Sequence, residues 1–191
     1  MKNLYLTLSV ITLATSFLLP SQANAEGISP QMMADSIHQV IQADRTVYAK
    51  LIVNRLVNEE EVIEASEHWQ DEQALLLPAQ MFRAGAEIVQ EKSKNGFSYS
   101  LLSLWPINDQ NNAKTEAEKT GLKFVGENKG KNYYGEETLA GKKYFTAVYS
   151  DVAVSDACVS CHNNHKDSPK KDFKLNDVMG GIVIRIPLTQ L

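Results

Sequence analysis

The 191-residue chain has only two cysteines, three positions apart. A small scaffold stapled by several disulfides is therefore excluded. Six prolines and ten glycines are too few for a fibrous or low-complexity chain. The net charge is −4, and no Lys/Arg cluster is dense enough to track a phosphate backbone, so nucleic acid is not an expected partner. Past residue 25 no apolar run approaches the roughly 20 residues that cross a bilayer. Internal repeats are lacking as well. What is present is an ordinary globular composition, 43% hydrophobic and 22% charged, at a length that suits one domain.

The first 25 residues have the form of a secretory signal. Lys2 supplies the positive start, Leu4 to Leu19 an apolar stretch, and Ala23-Asn24-Ala25 the small-x-small cleavage pattern. The apolar stretch is short for a membrane anchor. The expectation is residues 1–25 as a cleaved signal peptide, residues 26–191 as a single exported domain, and a bacterial periplasmic location.

Ser29-Pro30 can open a helix, with Ser as cap and Pro at the first position. Met33, Ile37, Val40, Ile41, Tyr48, Leu51 and Ile52 then recur at helical spacing, predicting one long helix over about 30–57. Pro78 opens a second helix to about 92, with Ala79, Phe82, Ala86 and Val89 on one face. Residues 97–104 alternate as a strand. Thr115 and Glu118 form a capping box before a short helix to about Phe124. Residues 133–139 and 142–149 are strands joined at Ala140-Gly141, and Ile182, Ile184 and Ile186 mark a last strand ended by Pro187. Residues 150–178 have the composition of a loop. This order gives an α+β fold with a mainly antiparallel sheet.

Within that loop-like stretch lies Cys158-Val159-Ser160-Cys161-His162, the C-x-x-C-H pattern of c-type haem attachment. Two thiols at this spacing reach the two vinyl groups on one porphyrin edge, and the adjacent His162 becomes the proximal iron ligand. A redox dithiol usually follows a strand in a βαβ setting, which is not found here. A zinc site of Cys158, Cys161, His162 and His165 is too compressed for the usual two ligand pairs. A structural disulfide is the remaining plain alternative.

Ala157-Cys158-Val159-Ser160-Cys161-His162-Asn163, His165 to Lys170, Asp172-Phe173-Lys174 and Asp177 to Gly181 extend the pattern downstream. Leu77-Pro78-Ala79, Leu102 to Asn108 and Arg45 to Ala49 extend it upstream. Over nearly all of the mature chain the sequence resembles the PAS-like c-type haem domain family, known from a photosystem-associated cyanobacterial protein and from periplasmic sensor regions. The resemblance implies an antiparallel sheet of about five strands with packed helices, one covalent haem c, and redox or ligand sensing or one-electron transfer. It implies a redox partner or a separate signalling partner, and the long first helix suits a homodimer. An open iron site acting on a gas, peroxide or a nitrogen oxide is the alternative, although no distal His–Arg pair supports a peroxidase.

The sixth iron ligand decides between these roles. A relative uses a cysteine of the first helix, and this chain has no third cysteine to offer. Met81 is the candidate put forward, with Met32, Met33, His38, His68, His165 and Met179 as alternatives. Met33 is expected in the core, His38 at a boundary, and His68 in solvent; His165 is expected to shape the loop or meet a propionate. Tyr48 and Arg83 are candidates to line the haem pocket, Tyr48 by its hydroxyl and Arg83 by pairing with a propionate. Arg45 and Arg185 are further propionate candidates. Lys166, Lys170, Lys171 and Lys174 form a basic cluster able to dock an acidic partner.

Overall fold

The computed structural model describes residues 27–92 and 96–188; the expected signal peptide lies outside the described residues. Helix α1 spans Pro30–Val47 and opens as its sequence dictates: Ser29 Oγ accepts the Met32 N–H at 3.1 Å, and Pro30 needs no donor partner. The chain then continues without a break as a π-helix, Tyr48–Glu59. The predicted extent is met, but the second half is wound more loosely, as in the bond from the Glu60 N–H to the Arg55 carbonyl at 2.9 Å. Its apolar spacing fits either winding, so the pattern does not separate them. Met33, expected in the core, is 38% exposed, because α1 turns Ala34, Ile37 and Ile41 inward instead.

Two three-residue strands follow, β1 (Glu64–Ser66) and β2 (Ala74–Leu76), paired in parallel and separate from the main sheet. Helix α2 (Pro78–Lys92) leads to β3 (Ser98–Leu102), and α3 (Glu116–Glu127) begins with the expected Thr115–Glu118 capping box. Strands β4 (Tyr133–Leu139) and β5 (Lys142–Val152) form a hairpin turning at Ala140 and Gly141, both at positive φ. Helix α4 (Asp156–Asn164) and strand β6 (Val178–Pro187) complete the chain. The fold is α+β.

The main sheet is antiparallel throughout, in the order β3-β6-β5-β4. It has four strands rather than about five. The alternation seen in the sequence sorts its two faces. Ala147, Tyr149, Ile182, Ile184 and Ile186 meet Ala34 of α1 and Phe82 of α2. Val148, Val183 and Leu102 meet Leu122 and Val125 of α3. A third cluster, Ala153, Phe173 and Met179, closes one end and takes in Cys158 and Val159.

The chain leaves the sheet at a defined place. Strand β5 shifts register between Asp151 and Val152. Ala153 is then fixed on both sides, its N–H donating to the Asp177 carbonyl and its own carbonyl accepting from the Asn176 N–H, each at 2.9 Å. Helix α4 starts three residues later, where a loop was expected. It has no amphipathic stripe to announce it; Ser155 caps it, and two side chains anchor it to the third cluster.

Candidate functional site

Helix α4 carries the C-x-x-C-H pattern and sets its geometry. Cys158, Cys161 and His162 stand at i, i+3 and i+4, so all three share one helix face. Both cysteines are free thiols, Cys158 half-buried and Cys161 exposed. Cys158 Sγ lies 3.2 Å from the Ser155 hydroxyl. Burial, then the Glu67 carboxylate and Cys158, push the Cys161 thiol above its ordinary pKa.

The His162 ring packs on its neighbour. Its ring stands edge-on to Phe173, centroids 5.9 Å apart at 88°. Its Nδ1 is buried with no hydrogen-bond partner among the described residues. A buried imidazole nitrogen left unpaired is uncommon. Among the described residues no side chain claims the ring, so it stays available to bind a metal ion. Burial lowers its pKa, the Asp151 carboxylate opposes that, and His165 adds to it.

Neighbouring residues brace the helix. Asn163 bonds both backbone groups of Phe173. His165 Nδ1 accepts the Asp167 N–H at 3.2 Å, which leaves Nε2 to face Glu67 Oε1 at 3.4 Å. The segment between β1 and β2 is thereby tied to α4, in line with a loop-shaping role for His165. Among the described residues, no three His, Cys, Asp or Glu side chains are grouped to hold a metal ion.

The other sequence candidates are placed as follows. Tyr48 opens the π-helix, and its hydroxyl donates to the Leu76 carbonyl at 2.8 Å, joining that helix to β2. Arg83 donates from Nε to Glu87 on its own helix at 2.8 Å. Met81 is half-buried on the first turn of α2, beside the buried Phe82. Met179 is buried in the cluster that anchors α4. Met32 and His68 are exposed. His38 is a boundary residue, stacked flat on Tyr149 at 3.9 Å. Arg185 is taken up on the α3 side, bonding Glu137 at 2.6 Å and Glu118 at 2.5 Å, so its guanidinium is already committed. The basic cluster is interleaved with acids: Lys166 pairs with Asp167, and Lys170 with Asp172.

Sequence reasoning missed Asp151. This carboxylate ends the regular part of β5 and is gripped by Arg45 from α1, through Nη1 to Oδ1 at 2.5 Å and Nη2 to Oδ2 at 3.3 Å. Its only sequence signal is position, a charge at the end of an apolar strand seven residues before Cys158.

The family model for Tll0287 (Tll0287-like) matches residues 23–187, and the chain belongs to that family. Among solved structures, the cyanobacterial heme-protein Tll0287 is similar to it. The two are 13% identical with a TM-score of 0.46, over 82% of this chain and 98% of that chain. No curated protein matches the chain.

Proposed function

We propose that this is an exported, periplasmic protein that carries one covalent haem on Cys158 and Cys161, with His162 as proximal iron ligand, and that it works in redox sensing or one-electron transfer. The observation that carries this reading is the single face of α4 on which two free thiols and an unclaimed imidazole converge. Family membership supports it, since the family's namesake is described as a heme-protein.

Each thiol would add its S–H across one vinyl double bond, sulfur to one carbon and hydrogen to the other, with nothing released. Burial and the Glu67 carboxylate raise the Cys161 pKa, which disfavours the thiolate, the form that engages in disulfide exchange. Phe173 and the Asn163 clasp fix the His162 ring plane. Bound there, the haem supplies a one-electron Fe(III)/Fe(II) change. Met81 is proposed as the sixth ligand, and Tyr48 and Arg83 as residues of the haem pocket.

Intact mass of the matured protein tests the attachment. A gain of one haem, lost in Cys158→Ala/Cys161→Ala, is the expected result; a bare polypeptide mass rejects the reading. Visible spectra before and after dithionite, then with carbon monoxide, test the sixth site. Sharp low-spin bands that carbon monoxide leaves unchanged, and that Met81→Ala abolishes, support electron transfer or redox sensing. Broad bands that shift at once with carbon monoxide would open the sixth site and favour gas binding or catalysis.

A further inference from the structure

We infer that Trp105 is the surface port through which a one-electron partner exchanges electrons with the haem, and that Phe173 is the bridge from this indole to His162. This deepens the proposed function and rests on that reading.

The path is a line of rings in contact. Trp105 and Phe173 meet edge to face, centroids 6.1 Å apart at 74°, and Phe173 meets His162 in the same way at 5.9 Å and 88°. Among the described residues, Phe173 is the only aromatic ring against His162, and Trp105 is the only other ring against Phe173. The two ends differ as a port requires. Phe173 is buried, whereas Trp105 is 36% exposed. With Leu104 and Lys170 it walls an open cleft of about 490 Å³. Leu104, exposed as well, adds an apolar contact point beside the indole.

Local bonds hold the line in place. The Trp105 N–H donates to Ser103 Oγ at 2.9 Å, and that hydroxyl donates to the Met179 carbonyl at 2.6 Å, which pins the loop after β3 to β6. Asn163 clasps both backbone groups of Phe173. The Lys170 ammonium stands over both rings, 5.5 Å from the Trp105 centroid and 5.0 Å from that of Phe173, so one cation holds the pair. Electron exchange needs electronic contact rather than bond making, and that contact weakens steeply across gaps between atoms. Packed rings carry it from the cleft to His162. When the partner is an oxidant, ferrous iron loses one electron and the oxidant gains it. No proton moves, and both rings end unchanged. The ammonium disfavours a lasting positive charge on the indole, which suits a bridge rather than a store.

The test uses haem-loaded protein, its haem confirmed by mass. In stopped flow, the ferrous form is oxidised by a soluble outer-sphere oxidant, tris(phenanthroline)cobalt(III). Trp105→Leu should slow this several-fold while the reduction potential and the visible bands stay where they are. Trp105→Phe, which keeps a ring, should stay near the parent. A second readout is spectroscopic. In a Trp69→Phe background, a flash-oxidised ruthenium tris(bipyridine) dye takes one electron from Trp105. The indole radical should persist in ferric protein, and in ferrous protein it should be refilled as ferric iron appears. Phe173→Leu, which keeps apolar bulk without the ring, should slow that refilling several-fold; it also covers the case in which Trp105→Leu fails to fold. Equal rates in the parent and Trp105→Leu, a slowing accounted for by a shifted potential, or refilling as fast in Phe173→Leu would overturn the inference. Any of these in protein whose mass includes haem leaves the haem reading standing. A parent chain without haem would remove both.

Discussion

Asn163 clasps the backbone of Phe173: its side-chain N–H donates to the Phe173 carbonyl at 2.9 Å, and its Oδ1 accepts the Phe173 N–H at 3.0 Å. The ring so held is 3% exposed and stands edge-on to His162. Phe173→Ala should cost about 3–5 kcal/mol, the usual range for a buried ring replaced by a cavity. Asn163→Ala leaves the ring in place but strands two backbone groups, for about 1–3 kcal/mol. Urea unfolding measures both. If His162 is the proximal iron ligand, as proposed, and the clasp orients it, Asn163→Ala should also alter the visible haem bands at a pH and temperature where the protein remains folded.

His38 gives a pH dependence with a definite sign. Its ring is stacked on Tyr149, whose hydroxyl donates to Asp35 at 2.7 Å. Burial lowers the His38 pKa, and Asp35 only partly opposes this. In the unfolded chain the group titrates near about 6.5. The unfolded state therefore binds the proton first as pH falls. The stabilisation is full above about 6.5 and is lost as pH falls through the lower folded value. His38→Phe keeps a flat ring on Tyr149 and removes the titration. Between pH 7 and 5 the stability of the parent should fall relative to this variant, at no more than about 1.4 kcal/mol per pH unit. Urea midpoints across that range decide it, and parallel slopes would refute it.

Much of this fold is legible in the sequence because local rules and global packing agree. Ser29-Pro30 and the Thr115–Glu118 box mark helix starts, Ala140-Gly141 marks a turn, and the alternation of residues 144–149 names both faces of β5. Helix α4 was hidden because it buries little and is specified by a cap and two contacts rather than by periodicity. The π winding of residues 48–59 leaves no pattern distinct from an α-helix. At the site, the motif names its own cysteines and histidine. The residues that brace it, Asn163 and Glu67, are set by contacts across up to 98 positions of sequence, which spacing cannot reveal.

Arg185 is the opposite of a free propionate partner. It sits between Glu118 and Glu137 with its side chain 13% exposed, and Thr146 donates to Glu137 at 2.7 Å. Burial pushes the Glu137 pKa up, but hydrogen bonds from Thr146, Arg185 and Thr115 outweigh it and hold the carboxyl below its ordinary value. Its contribution is present above the unfolded value of about 4.3 and is lost as pH falls through the folded one. Glu137→Gln should flatten the acid limb of the stability curve below about pH 4.3. Arg185→Met leaves two carboxylates together without their cation and should cost about 3–5 kcal/mol at pH 7. Part of that loss should return on acidification as Glu137 is neutralised. A loss that stays constant with pH would mean that volume, not charge, governs this position.

Two glycines should respond to alanine with opposite signs. At Gly180 in β6, an added Cβ would stand 2.5 Å from the Leu102 carbonyl oxygen of the neighbouring strand. That oxygen cannot withdraw without disturbing the pairing of Leu102 with Gly181, and Ser103 next to it is fixed by its bond to the Met179 carbonyl at 2.6 Å. Gly180→Ala should therefore cost about 1–3 kcal/mol, as overpacked sites do. Because Met179 belongs to the cluster under α4, the variant should also retain less haem after maturation. At Gly126, near the end of α3, the added Cβ meets nothing within 4 Å, and the backbone is helical. Gly126→Ala restricts the unfolded chain without strain and should stabilise by about 0.4–1 kcal/mol. Thermal unfolding of the two variants side by side checks both signs. A neutral Gly180→Ala would mean that β3 and β6 can separate at this point, and the close strand approach would lose its place as the support of the α4 end of the sheet.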